Sequence, residues 1–472
     1  MNNKLINILK NLSYTFTSNL VSLLISGLVL LIVPKLIGVK EYGYWQLYLF
    51  YSSYVGFLHF GWNDGIYLRY GGKEYSQINK RLFFSQFYML TILQVVIALL
   101  IYSATFILVT DSDRAFIFYI VALCLIITNI RWMLIYTLQA TYRIKEYARI
   151  TIIGRIIYIC IIILCLLIGI REYKLMILAD IIGRIISLSY AIYTCRDFVF
   201  KKISIFYISF KETIANITVG SKLMFANIAS MLIIGIVRYG IERTWDVSTF
   251  GKVSLTLSAS NLMMIFINAV GIIIFPILRR TNEKNLPNIY STIRNFLMIA
   301  LLGILIIYYP LKEVLSFWLP KYADSITYMA LLFPICVYEG KMALLINTYL
   351  KTMRKESLLL KINVVSMTLS IISTFSLSIY VKDLNLLIVS IVFLLGFRCI
   401  LAEILLSKIL NISSFNDIIL ELVLIVIFII TGWFINSWYT VLFYGLAYIL
   451  YLLLKRKDIS YTLIRMKELI RL

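Results

Sequence analysis

Residues 13–52, SYTFTSNLVSLLISGLVLLIVPKLIGVKEYGYWQLYLFYS, are written a second time without a gap at residues 221–260, SKLMFANIASMLIIGIVRYGIERTWDVSTFGKVSLTLSAS. The offset is 208 residues, and twelve of the forty aligned positions are identical. Six of the twelve are aliphatic matches that an apolar chain supplies cheaply. The weight rests on Ser13/Ser221, Asn19/Asn227, Ser22/Ser230, Gly27/Gly235, Gly43/Gly251 and Ser52/Ser260. A helical pair that opens two halves of one chain is how many membrane transporters are organised.

Composition sets the solvent around those halves. Over 472 residues, 61% are hydrophobic and only 14% are charged, and the mean hydropathy is +0.91. That leaves too little polar surface for a water-soluble fold and predicts a polytopic membrane protein. The apolar segment from about Leu20 to Ile37 lacks a small-residue cleavage site and continues as a first span rather than a removable signal. Six cysteines, Cys124, Cys160, Cys165, Cys195, Cys336 and Cys399, show no metal spacing and read as small core residues.

A span needs about twenty apolar residues. The windows between charge clusters predict helices near 13–38, 44–63, 83–109, 115–139, 148–169 and 173–194, then a basic connector. The second half reads 217–240, 249–275, 291–311, 325–348, 358–381 and 384–408, followed by 416–434 and 437–454. The expected fold is therefore an all-α polytopic bundle of about 14 transmembrane helices. Its divisions are an N-terminal six-helix bundle over 1–200, a second bundle over 201–410 that repeats it in parallel, and two extra helices with a tail over 411–472.

Orientation follows from the 45 Lys and Arg residues. The termini and even-numbered loops hold 29, odd-numbered loops and their helix ends hold eleven, and five lie well inside spans. This bias predicts both termini in the cytoplasm and accounts for most of the +22 net charge without a nucleic-acid partner. Ile459, Leu463, Met466 and Ile470 fall on one stripe of the tail, which predicts an amphipathic helix on the inner membrane surface.

No loop exceeds about twenty residues by this division, which leaves no place for an extramembranous catalytic domain. The single histidine, His59, sits on an apolar helix and reads as a packed residue. There is no phosphate-binding glycine loop, no metal-spaced carboxylate pair and no nucleophile constellation, so the chain is expected not to be an enzyme and to need no cofactor.

The chemistry concentrates in ionisable residues inside spans, because a charge in hydrocarbon is costly unless it faces a cavity or a partner. Asp180 and Arg184 are four apart on one helix and read as a structural ion pair, with Asp180 the only well-buried acid expected in the first-half cavity. Arg131 and Arg155 have no acid within a turn. Lys341 is two residues from Glu339, on a different face, and Arg398 is five from Glu403. Arg238 and Lys252 add two cations in the second copy of the repeat. Inward-facing arginines suit phosphate oxygens through bidentate bonds, so Arg131, Arg155, Arg238, Lys252, Lys341 and Arg398 are the candidate contacts for a phosphate-bearing anionic cargo. Tyr42, Tyr44 and Trp45 are aromatic residues that sugar stacking or interfacial anchoring would use equally well.

The most specific motif is LHFGWNDGIYLRYGGKEY, Leu58 to Tyr75, where Gly61 and Gly65 bracket an Asn63-Asp64 step and Arg69 reaches the inner surface. This stretch resembles the corresponding segment of bacterial polysaccharide repeat-unit flippases, the Wzx-type O-antigen and capsule transporters. Arg238 followed by the Gly251 entry is similar to that family's "DR … G-Y-S" pattern, with Val237 in place of the acid and Lys252 in place of the aromatic residue. Gly220-Ser221-Lys222-Leu223 resembles the family's opening of the second half.

That resemblance runs along the chain's full length and implies the multidrug/oligosaccharidyl-lipid/polysaccharide exporter fold, two six-helix bundles in a V. It implies a flippase that moves undecaprenyl-pyrophosphate-linked oligosaccharide between the leaflets of the bacterial cytoplasmic (inner) membrane for surface polysaccharide synthesis. Arg69 would recruit the headgroup at the inner face. The implied partners are the lipid-linked oligosaccharide, membrane lipids, and polysaccharide polymerase and chain-length machinery, with the transporter a monomer. Rival readings are an ion-coupled multidrug exporter of the same superfamily, a membrane-embedded polysaccharide polymerase, and a scaffold that would have no use for buried charge.

Overall fold

A computed structural model describes residues 3–262, 264, 286–435, 439–460 and 462. Every regular element among them is helical. The chain forms two compact units, Met1–Ile228 and Ala229–Leu472. Unit 1 holds α1 (Asn3–Leu36), α2 (Val39–Ser52), α3 (Trp62–Tyr70), α4 (Lys80–Leu108), α5 (Ser112–Ala140), α6 (Ile144–Leu167), α7 (Tyr173–Thr194) and the short α8 (Arg196–Val199). Helix α9 (Phe210–Thr244) begins in unit 1 and ends in unit 2. Unit 2 continues with α10 (Val247–Asn261), α11 (Leu286–Trp318), α12 (Met329–Thr352), α13 (Glu356–Val381), α14 (Leu384–Leu410), α15 (Phe415–Phe434) and α16 (Tyr439–Leu454). Eleven of these are long and apolar enough to cross a bilayer, so the protein is a multi-pass membrane protein.

The helix boundaries repeat at the offset seen in the sequence. Carried forward by 208 residues, the end of α1 at Leu36 falls on Thr244, the end of α9, and the start of α2 at Val39 falls on Val247, the start of α10. The expected end of the eighth span, residues 265–275, lies outside the described residues, as do the join at Asn436 and Ser437, Trp438, and the tail stripe residues Leu463, Met466 and Ile470.

The second span departs from expectation. A continuous helix over 44–63 is replaced by α2, a 3-10 turn at Val55–His59, and α3. Phe60 and Gly61 are both left-handed, at φ 55° and 86°, and two such residues in succession cannot sit inside an α-helix. The His59 Nδ1 accepts the Gly61 N–H at 3.0 Å, giving that amide the partner a helix would have supplied. Elsewhere the loops start helices by side-chain capping: Asn79 accepts from Arg81 and Leu82 N–H at 3.1 Å each, and Asp111 accepts from Arg114 N–H at 2.7 Å. Gly169, at φ 89°, ends α6, with the Ile170 N–H closing onto the Cys165 carbonyl at 2.9 Å.

In unit 1, α5 is central, and its neighbours turn apolar side chains outward. Leu99, Leu100, Phe106 and Leu108 on α4 are all exposed, as a lipid-facing surface requires. Between α6 and α7 the backbones approach closely. A Cβ on Gly154 would lie 3.0 Å from the Gly183 carbonyl, and one on Gly183 would lie 2.7 Å from the Gly154 carbonyl. Small residues permit this packing where no hydrophobic drive between helices exists. In unit 2, α12 is the most buried span.

Candidate functional site

The glycine contact between α6 and α7 sets the cavity of unit 1, since Arg155 follows Gly154 and Arg184 follows Gly183. Arg131, from α5, joins them around a cavity of about 430 Å³. Asp180 is the single carboxylate among the described residues of its lining. Its Oδ2 accepts from the Tyr48 hydroxyl at 2.6 Å and from Arg184 Nε at 2.7 Å, and Arg184 Nη1 donates to Thr128 Oγ1 at 3.1 Å. Arg131 Nη1 donates to Ser187 Oγ at 3.2 Å, while its Nε is buried with no acceptor among the described residues. Arg155 is exposed on the cavity and makes no ion pair among the described residues.

Three guanidinium groups against one carboxylate leave an excess of two positive charges, held where desolvation makes uncompensated charge expensive. Such a site offers planar forks to an oxyanion and repels an organic cation.

A second arrangement ties α3 to the start of α9, and every residue in it belongs to unit 1. The two helices run antiparallel with a four-residue period: Gly61 faces Gly220, Gly65 faces Asn216, and Arg69 faces Glu212. A Cβ on Gly65 would sit 1.9 Å from the Asn216 carbonyl oxygen, and one on Gly220 would sit 2.0 Å from the Gly61 carbonyl oxygen, so backbone lies on backbone. Arg69 closes the row with a bidentate pair to Glu212, at 2.7 and 3.2 Å, and a 2.5 Å bond to Asn216 Oδ1. Tyr70 donates to the same carboxylate at 2.8 Å. Behind them buried Gln86 of α4 accepts from Trp62 Nε1 at 2.8 Å and donates to Ser209 Oγ at 2.6 Å. Arg69, expected at the inner surface, is thus bound to a carboxylate.

Unit 2 distributes its candidates differently. Lys341 on α12 is bonded to Glu403 and, at 2.7 Å, to Glu421. Arg294 on α11 lies 2.6 Å from Glu403, 3.0 Å from Asp417 and 2.7 Å from Glu421. Lys455 extends the network to Asp417 and, at 2.8 Å, to Asp458. The void against Lys341, Glu403 and Glu421 is about 10 Å³, at the limit for one water. Arg398 binds Glu339 at 2.8 Å and Asn363 at 3.0 Å. Arg238, half-buried, donates to Ser254 at 3.0 Å and lies 5.2 Å from the Phe250 ring centre, and Lys252 is half-buried on α10.

Same-helix spacing could not foresee these pairings. It rejected Glu339 for Lys341 and Glu403 for Arg398 and left both cations to the cavity, while the structure pairs Lys341 with Glu403 and Arg398 with Glu339 across helices. Arg294, counted among the loop cations, and the acids Glu212, Glu403 and Glu421 were missed as site residues. A signal was present, since the sequence itself places the acids Glu339, Glu403, Asp417 and Glu421 inside the spans of the second half. Asp64, outside the lining of the unit 1 cavity, is a second buried acid of unit 1, with its Oδ2 3.7 Å from His59 Nε2. Tyr42, Tyr44 and Trp45 are sealed into the core.

No protein-family model matches the chain, and no curated protein matches it. Solved structures do. An inward-facing multidrug resistance MATE family transporter of the MOP superfamily matches with a TM-score of 0.63 at 11% identity, over 83% of this chain and 98% of that one. The lipid II flippase MurJ, in an inward closed conformation, matches with a TM-score of 0.64 at 12% identity, over 96% and 100%. A MOP superfamily transporter from Pyrococcus furiosus, described by the reverse polarity of its binding pocket, matches with a TM-score of 0.50 at 11% identity, over 86% and 94%. The chain therefore has the fold of MOP-superfamily transporters.

Proposed function

We propose that this protein carries an undecaprenyl-pyrophosphate-linked oligosaccharide from the inner to the outer leaflet of the bacterial cytoplasmic membrane by alternating access. The observation that carries the reading is the cavity of unit 1, where Arg131, Arg155 and Arg184 outnumber the lone Asp180. In this reading the pyrophosphate engages Arg131 and Arg155, Asp180 holds Arg184 in position, and the polyprenyl chain stays in lipid. Arg238 and Lys252 serve as secondary contacts. Lys341 and Arg398, each bonded to carboxylates, hold unit 2 together. The division into bundles 1–200 and 201–410 with added helices over 411–472, both termini in the cytoplasm, monomeric function, and work beside a polysaccharide polymerase and chain-length machinery belong to the same proposal.

The test is made on spheroplasts of a strain depleted of this protein, in which the polyprenyl-linked glycan pool is probed with an impermeant glycosidase. The expected result is accumulation of complete repeat units that stay protected, relieved by the wild-type protein and not by an R131Q/R155Q variant that accumulates normally. Glycan reaching the outside at the normal rate without the protein refutes the reading.

An ion-coupled drug exporter is the second reading, and Asp64 beside His59 favours it, as a buried acid of the first half that no Lys or Arg neutralises among the described residues. Ethidium efflux that depends on Asp64, with glycan exposure untouched, selects that reading.

A further inference from the structure

The cavity of unit 1 carries a feature that phosphate binding does not use. Trp132 and Tyr136 lie one turn apart on α5, their ring centres 5.9 Å apart and their planes within 21°. Both line the cavity and both are half-buried, so part of each side chain stays open, unlike Tyr42, Trp45 and Tyr48, which are sealed. Together they place a strip of nearly parallel aromatic rings in the same lining as Arg131.

The strip is held rigidly. A Cβ on Gly56 would come within 2.5 Å of the indole of Trp132, so the ring rests directly on the backbone of the broken second span. The Tyr67 ring supports Tyr136 at 5.6 Å. Polar groups border the strip. The Gln139 side chain, on the same helix and lining the same cavity, has no hydrogen bond among the described residues. The hydroxyls of Ser53 and Thr151 donate to their own helices, at 2.7 and 3.1 Å to the Phe50 and Tyr147 carbonyls, and keep lone pairs for an incoming hydroxyl.

We propose that Trp132 and Tyr136 form a pyranose-stacking subsite, which takes the sugar next to the phosphate while Gln139, Ser53 and Thr151 read its hydroxyls. This rests on the flippase reading and names the part of the cargo that sets its specificity. A pyranose has an apolar C–H face and a rim of hydroxyls, so it matches a negative π-face bordered by amide and hydroxyl groups. A planar aromatic cation would also stack, but the excess of positive charge opposes it. A phosphate with no sugar attached would leave the strip unused.

The experiment uses the full chain purified into nanodiscs, with saturation-transfer difference NMR on methyl α-glucoside, methyl α-galactoside, methyl α-mannoside and N-acetylglucosamine, and separate titration with inorganic pyrophosphate. At least one pyranose should receive saturation concentrated on one C–H face. Its binding should weaken about tenfold in W132L and in Y136L and be largely kept in W132F and Y136F, which retain a ring. R131Q/R155Q should lose pyrophosphate binding and keep the sugar signal. Loss of pyrophosphate binding in the wild type would sink the anion site alone. The subsite is overturned if no sugar in the panel binds the wild-type protein. It is equally overturned if Y136L, with wild-type thermal stability, binds sugar as tightly as Y136F, or if an uncharged planar aromatic compound occupies the strip and sugars do not displace it.

Discussion

Replacing Gly65 by alanine should cost this protein more than breaking the ion pair beside it. The added Cβ would stand 1.9 Å from the Asn216 carbonyl oxygen, where ordinary contact begins near 3.4 Å, so α3 and α9 must part by about 1.5 Å. The obstacle is backbone, which cannot rotate away. Overpacking of this kind costs about 1–3 kcal/mol. Glycine-to-alanine inside a helix otherwise gains about 1 kcal/mol, so a net loss would report the interhelical clash directly. The Arg69–Glu212 pair is partly exposed, at 30% and 20% of the two side chains, and a pair so placed is worth about 1 kcal/mol or less. The assay is thermal unfolding of the purified protein in one detergent, comparing G65A, E212Q and R69E/E212R with wild type. The expected order of midpoints is wild type, then R69E/E212R and E212Q close below it, then G65A several degrees lower. If G65A unfolds with or above wild type while E212Q falls, the backbone interlock is not what joins these helices and the reasoning fails.

Three further outcomes follow from the same geometry. Removing two guanidinium groups in R131Q/R155Q should weaken inorganic pyrophosphate binding by at least about a hundredfold, since each charge-assisted bond is worth about 1.5–3 kcal/mol, and calorimetry at two salt concentrations checks it. K341M should destabilise unit 2 by about 3 kcal/mol by leaving Glu403 and Glu421 with only Arg294 and its neighbours, whereas K341M/E421Q should recover part of the loss, read by the denaturation midpoint in a double-mutant cycle. Burial pushes the Asp197 carboxyl upward, but bonds from Lys80 and Tyr75 outweigh it and hold the group below its ordinary 3.8. Its contribution is therefore complete above the unfolded value and is lost as pH falls through the folded one, so hydrogen exchange over residues 196–205 should quicken only in strong acid, and D197N should abolish that dependence.

The spans were legible because length and hydropathy are properties of consecutive residues, and the 208-residue offset that aligned Gly27 with Gly235 also aligned the helix ends. The break at His59–Gly61 was only half legible. Gly61 marked it, but a left-handed Phe60 has no signature in the sequence. Arg131 and Arg155 could be nominated because each lacked an acid within a turn on its own helix. Lys341 and Arg398 were nominated because the acids on their own helices, Glu339 and Glu403, are badly placed, yet each finds an acid 62 or 59 residues away on another helix. Helical periodicity sees only one cylinder at a time, and the charge of a cavity is decided by several.

The interlock of α3 with α9 also has a genetic consequence. Residues 61, 65 and 69 meet 220, 216 and 212, so every rung is counted in steps of four. One codon inserted within either run turns the remaining rungs by about 100° and advances them about 1.5 Å, aiming Arg69 or Glu212 away from its partner. Point substitutions at the outward positions between the rungs leave that count intact. A library of single-codon insertions should therefore show two short forbidden intervals, nearly equal in length, at places in the gene more than a hundred codons apart.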